Sequence, residues 1–185
     1  MAARAPRLRD RRTLRTLAAA LALALIAWPA AAAADSLELA VKATYLYKFA
    51  PFVSWPGGGQ TFTICVVGAD PFGPVLDRAV AGQQANGRAI VVRRLAQADR
   101  AQACDIAYLG GPADSVRDAL RRLHGAPVLT VTDGGGAAGV IDFVIDGGRV
   151  RFRIDDEAAA ENGLVISSKL LGLAVSVNPR RGARP

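Results

Sequence analysis

The chain reads as an α/β fold built on a mostly parallel sheet, and three observations predict it. Phe62 to Val67 is a run of apolar and β-branched residues too short and too uniform for an amphipathic helix, as expected of a strand buried on both faces. Further strand-like runs at 88–95, 104–109 and 128–132 alternate with helical patterns, which calls for parallel pairing with right-handed crossovers. The pattern then changes: 140–145 and 149–154 flank Asp146-Gly147-Gly148, a turn that predicts a C-terminal antiparallel hairpin.

The N-terminus holds six arginines between Arg4 and Arg15, an apolar run from Leu17 to Trp28, then Pro29 and five alanines. These are the three regions of a secretory signal peptide, with the cut expected after Ala34. The apolar run is short for a membrane span, so an uncleaved anchor is the weaker alternative. Arg11-Arg12 resembles a twin-arginine signal, but Arg15 stands where a large apolar residue belongs, and ordinary export is the expectation. No cysteine follows the alanines, so a lipoprotein is not indicated.

Removing residues 1–34 changes the charge balance. The whole chain carries 23 basic and 16 acidic residues, a net of +7. The leader's six arginines and one acid leave 17 against 15, and residues 35–179 carry 14 against 15. No basic footprint for nucleic acid survives. The remaining 151 residues make one domain by size. It is expected over 35–176, with 177–185 as a polar tail.

Along that domain, Asp35-Ser36-Leu37-Glu38 has capping-box spacing and predicts a helix of about fifteen residues. Its apolar stripe is Leu39, Ala43, Leu46 and Ala50, with Lys42 and Lys48 off it. Tyr45, Tyr47, Phe49 and Trp55 are expected to pack on the core. After the central strand, Asp70 is the expected N-cap and Pro71 the first helical residue of a helix using Leu76 and Val80. A helix with Val116, Ala119, Leu120 and Leu123 on one face should end at Gly125. In the last strand of the hairpin, Arg149, Arg151 and Arg153 alternate with Val150, Phe152 and Ile154. Three arginines on one face are a candidate surface for an anionic partner; a charged, solvated edge strand is the blander reading. Asp155 to Asn162 predicts a short helix and Ser167 opens a last one.

Chemistry-bearing motifs are scarce. The single histidine, His124, ends a helix, and without a second one neither a triad nor a zinc site has its parts. Gly68-Ala69-Asp70-Pro71-Phe72-Gly73 lies where a dinucleotide fingerprint would, but Asp70 replaces the glycine that lets a pyrophosphate approach. Asp155 and Asp156 sit at a helix start, where capping accounts for them. No catalytic residue, metal ligand or cofactor is called for. If the sheet binds a small ligand, the carboxyl-end crevice near Gly68, Asp70, Gly110 and Gly111 is the place for it.

The segments AVKATYLYKFAPFVSWP (40–56), FTICVVGADPFG (62–73), CDIAYLG (104–110), PVLTVTD (127–133) and RVRFRIDDEAAAENGLVISSKLLGLA (149–174) resemble, in that order, the YfiR family of bacterial periplasmic proteins. The resemblance implies a Rossmann-like α/β/α sandwich and a repressor. Its implied partner is the periplasmic domain of an inner-membrane diguanylate cyclase, with an outer-membrane lipoprotein as sequestering partner; a homodimer is a further candidate assembly. A periplasmic small-ligand binding or sensor protein is the alternative reading. Cys65 and Cys104 are the only cysteines, and export would place this even count in an oxidising compartment. The resemblance adds that cysteines of similar spacing pair in the family, so a disulfide is expected, with two buried free thiols as the alternative. Some members carry a second cysteine pair near the glycine-rich segment. This chain has only Gly134 to Gly136 there, so redox control through that pair does not carry over.

Overall fold

A computed structural model describes residues 28–134 and 136–182, and Glu38 onward forms one compact unit. The leader's arginines and most of its apolar run lie outside the described residues.

The fold is mixed α/β around an eight-stranded sheet. In chain order the elements are α1 (Trp28–Lys48), a 3-10 turn (Ala50–Phe52), β1 (Val53–Ser54), β2 (Thr61–Gly68), α2 (Pro74–Val80), β3 (Gln84–Ala85), β4 (Arg88–Leu95), a 3-10 turn (Arg100–Gln102), β5 (Ile106–Gly110), α3 (Ala113–Leu123), β6 (Leu129–Asp133), β7 (Ile141–Asp146), β8 (Arg149–Asp155), α4 (Asp156–Glu161), β9 (Val165–Ile166), α5 (Ser168–Leu171) and β10 (Ser176–Asn178). The sheet order is β10-β8-β7-β6-β5-β2-β4-β3, and β1 pairs with β9 apart from it. Only β7–β8 and β3–β4 pair antiparallel within the large sheet.

Alternation along β2 explains the layers. Phe62, Ile64 and Val66 face one cluster, which takes Leu46 and Phe49 from α1 and Leu76 and Val80 from α2. Cys65 and Val67 face the other, filled by Val116, Ala119 and Leu123 of α3. Helices therefore pack on both faces. Phe49 and Tyr45 stack at 5.7 Å, and Phe49 meets Phe152 edge-on at 5.3 Å, tying α1 to β8. Over β6 and β7 the α3-side face turns polar: Thr132 donates to Asp142 at 2.8 Å, and Gly139 and Val140 donate to Thr132 and Thr130, pinning the glycine-rich connection.

Several expectations need correction. Asp35 caps nothing, because α1 runs unbroken from Trp28 through the alanines, the best helix formers. Lys42, expected off the apolar stripe, is nonetheless buried, as described below. Asp70 is not a helix cap: α2 starts at Pro74 behind Gly73, so Pro74 takes the first helical position. Asp70 instead accepts from the Phe72 and Gly73 amides at 2.8 and 3.1 Å, an Asx turn before the helix. The last helix spans only Ser168–Leu171, opened by Ser167, whose hydroxyl accepts from the Leu170 amide. β8 is not a sheet edge, since β10 runs parallel beside it with Ser176 opposite Arg153. Arg180 then grips Asp156 through two hydrogen bonds of 2.8 Å.

Candidate functional site

The strand order puts β4 on one side of β2 and β5 on the other, so the direction of chain progression reverses between β2 and β5. Open α/β sheets bind ligands outside the carboxyl ends of the strands at such a point. Gly68 and Gly110 are paired there in register, and the Ala69 amide donates to the Gly110 carbonyl at 3.1 Å. A Cβ on Gly68 would stand 2.5 Å from the Gly110 oxygen, and one on Gly110 would stand 2.0 Å from the Ala69 oxygen. The two glycines are thus explained by the closeness of the two chains. Gly111 follows at φ 120°.

Asp70, the one ionisable residue of the expected crevice, is fully engaged. Besides its turn, it accepts from Arg94 Nε at 2.7 Å. Arg94 also reaches Asp77 at 2.6 Å and the Gly73 carbonyl at 2.8 Å. Hydrogen bonds to Asp77 and Asp70 hold the Arg94 guanidinium more firmly protonated than usual, and the same contact pulls the Asp77 carboxyl down. Tyr108 packs edge-on against Phe72 at 4.7 Å; burial pushes its phenol up, and the charges of Asp133 and Asp70 add to the shift. On the α3 side, a cleft of about 200 Å³ is floored by Val67, Gly68, Leu109 and Gly110 and walled by Ser115 and Asp118.

Beside this crevice lies an ion cluster whose long-range partner sequence reasoning missed. Lys42 reaches from α1 to Glu38 at 2.5 Å and to Asp133, at the end of β6, at 2.6 Å. Burial alone pulls the Lys42 ammonium down, but its hydrogen bonds to Asp133 and Glu38 outweigh that and leave it above its ordinary value. The (i, i+4) spacing of Glu38 and Lys42 was the only signal in the chain.

Towards the opposite, amino end of the strands, Cys104, just before β5, forms a disulfide with Cys65 in the middle of β2, their Cα atoms 5.8 Å apart. Next to it, Asp105 accepts from the Thr63 amide at 2.7 Å and from Arg88 at 2.8 Å, and its carbonyl accepts from the Trp55 indole at 3.1 Å. Arg88 lies over the Phe62 ring at 4.9 Å. Among the described residues, no group of three or more His, Cys, Asp or Glu side chains is placed to hold a metal ion.

A family model described as YfiR/HmsC-like matches residues 39–175. The chain belongs to the YfiR/HmsC-like family. No curated protein matches it. Membership supports, at the level of the family, a periplasmic regulatory role. Among the described residues, no helix is long and apolar enough to cross a membrane.

The arginines of this family member lie away from the crevice. Arg149, Arg151 and Arg153 share a face of β8 with Asp146, Val144 and Asp142 opposite them on β7. Arg149 and Arg153 are exposed, and Arg151 donates to the Leu173 carbonyl at 3.4 Å. None of the three pairs with a carboxylate among the described residues, and Asp142 is occupied by Thr132 and Gly134. The crevice residues, the arginine stripe and the disulfide are therefore three separate places on the sheet.

Proposed function

We propose that this YfiR/HmsC-like protein is a non-enzymatic periplasmic regulator that binds the periplasmic domain of an inner-membrane diguanylate cyclase and represses it, lowering cyclic-di-GMP. The match over residues 39–175 carries this reading. The commitment of Asp70 to Arg94 and to its own turn supports it, since the one ionisable residue of the expected crevice is engaged in holding its own loop. In this reading residues 1–34 are a signal peptide cleaved near Ala34, residues 35–176 form one Rossmann-like α/β/α sandwich with the β7–β8 hairpin, and an outer-membrane lipoprotein sequesters the repressor. Arg149, Arg151 and Arg153 are the proposed contact with an acidic surface of the cyclase, supported by their lack of carboxylate partners.

Deletion of the gene should raise cellular cyclic-di-GMP, and the mature protein should retain the cyclase from inner-membrane extract. Unchanged dinucleotide and no retained cyclase would sink the reading. Replacing the three arginines by glutamine, which removes the charge without setting an acid opposite Asp142 or Asp146, should abolish retention with little change in melting temperature.

Small-ligand sensing has one observation in its favour, the cleft beside α3. Its volume of about 200 Å³ is below the roughly 300–1,000 Å³ of ordinary ligand pockets, which ranks ligand binding at the carboxyl-end crevice second.

A further inference from the structure

β4 borders the large sheet for most of its length. β3 pairs with it only through Gln84–Ala89 and Ala85–Arg88, while β2 runs along its other side from Ala89 to Leu95. The turn between β3 and β4 is Asn86-Gly87 with φ 51° and 74°, the type I′ hairpin turn, in which the flanking residues Ala85 and Arg88 exchange both backbone hydrogen bonds. Arg88 therefore directs its amide and carbonyl away from β2. By the two-residue period so do Val92 and Arg94, which no strand among the described residues reaches.

The side chains at this edge are not those of a fully guarded one. Natural edges are blunted by projecting charges. Arg94, however, is folded back onto Asp70 and Asp77, and Val91 is 37 % exposed. On the α2 side, Val80, Ile90 and Val92 floor a groove of about 430 Å³ rimmed by Asp77, Gln83 and Gln84. On the opposite face Arg93 is exposed and has no carboxylate partner among the described residues, its guanidinium donating only to the Gln102 carbonyl at 3.0 Å.

We propose that the outer edge of β4 accepts an added strand from a partner protein, an extended segment that alternates apolar and acidic residues. The free main-chain groups of Val92 and Arg94 require an extended backbone. Side chains of an added strand alternate between faces, so one set enters the Val80–Ile90–Val92 groove and the other meets Val91 and Arg93. Apolar residues suit the first set and carboxylates the second.

The probe is a fluorescein-labelled peptide, Glu-Val-Glu-Val-Glu-Val-Glu, titrated with the full mature protein and read by anisotropy. Saturable binding below about 1 mM is expected, lost when every peptide amide is N-methylated. Val92→Pro removes the outward amide at an edge position and should abolish binding. Arg93→Glu, which leaves the backbone intact, should weaken it about tenfold or more and reverse the preference toward the peptide with lysine in place of glutamate. No saturable binding, equal binding of the N-methylated peptide, or an Arg93→Glu protein that keeps its preference for glutamate would each overturn the proposal. The assay contains no cyclase, so its failure is distinct from failure of the regulator reading.

Discussion

Asp105 and Arg88 form an ion pair of 2.8 Å that spans β2, joining the amino ends of β5 and β4 across the strand between them. Both side chains are largely buried, and the Asp105 carboxylate also serves the Thr63 amide. Removing one partner of such a pair strands the other, which costs more than the pair itself contributes. Asp105→Ala should therefore lower unfolding free energy by roughly 2–4 kcal/mol in urea titration. An Arg88→Met variant should lose less, because a long apolar side chain still covers the Phe62 ring. Equal, negligible losses would show that the network is not structural.

The disulfide one residue away fixes the same corner. It joins residues 39 apart, and closing that loop in the unfolded chain corresponds to roughly 4 kcal/mol on the chain-entropy estimate. Reduction should lower the melting temperature markedly, and thiol labelling of denatured, unreduced protein should find no reactive cysteine. Two labelled cysteines, or a melting temperature indifferent to reductant, would contradict this.

At the carboxyl end, Gly68→Ala places a methyl group 2.5 Å from the Gly110 oxygen at a φ of 78°. Neither chain can yield without breaking the Ala69–Gly110 hydrogen bond. A loss of roughly 3 kcal/mol is expected, from clash and backbone strain together. Gly82→Ala, at φ 69° with nothing within 4 Å, isolates the strain alone and should cost about 1–2 kcal/mol. Comparable melting temperatures for the two variants would refute the account of the crevice.

How far the sequence was legible follows from the range of each signal. β2, β4 and α3 announce themselves through local periodicity and appear nearly where expected. The pairing of β7 with β8 follows from two strand-like runs, the second cleanly alternating, around Asp146-Gly147-Gly148. α2 starts late because Asp70 can cap a helix or close an Asx turn, and the pull of Arg94, 24 residues on, accompanies the second outcome. β10 is three residues, Ser-Val-Asn, with no pattern of its own, and exists because β8 offers it an edge. At the candidate sites the residue types were legible, but their engagement was not: Asp70 reads as a helix cap until Arg94 is beside it.

Lys42 shows the same limit and carries the last prediction. A lysine off the apolar stripe reads as solvated, yet this one is 4 % exposed because Asp133, 91 residues away, waits at the end of β6. Its folded-state ammonium titrates above the ordinary value of 10.5, so the charged form is favoured by folding. The sign follows: a raised value contributes stability that is fully present below the unfolded titration point near 10.5 and is lost as pH rises through the higher folded one. Wild-type protein should hold its urea midpoint between pH 8 and 10 and lose stability above that window as Lys42 deprotonates. Lys42→Met should remove that part of the alkaline loss and, by leaving Asp133 without its cation, be less stable than wild type at pH 8. The measurement is a set of urea titrations of both proteins from pH 8 to 12. Parallel pH profiles for wild type and Lys42→Met would show that the lysine's charge does not hold α1 to the sheet.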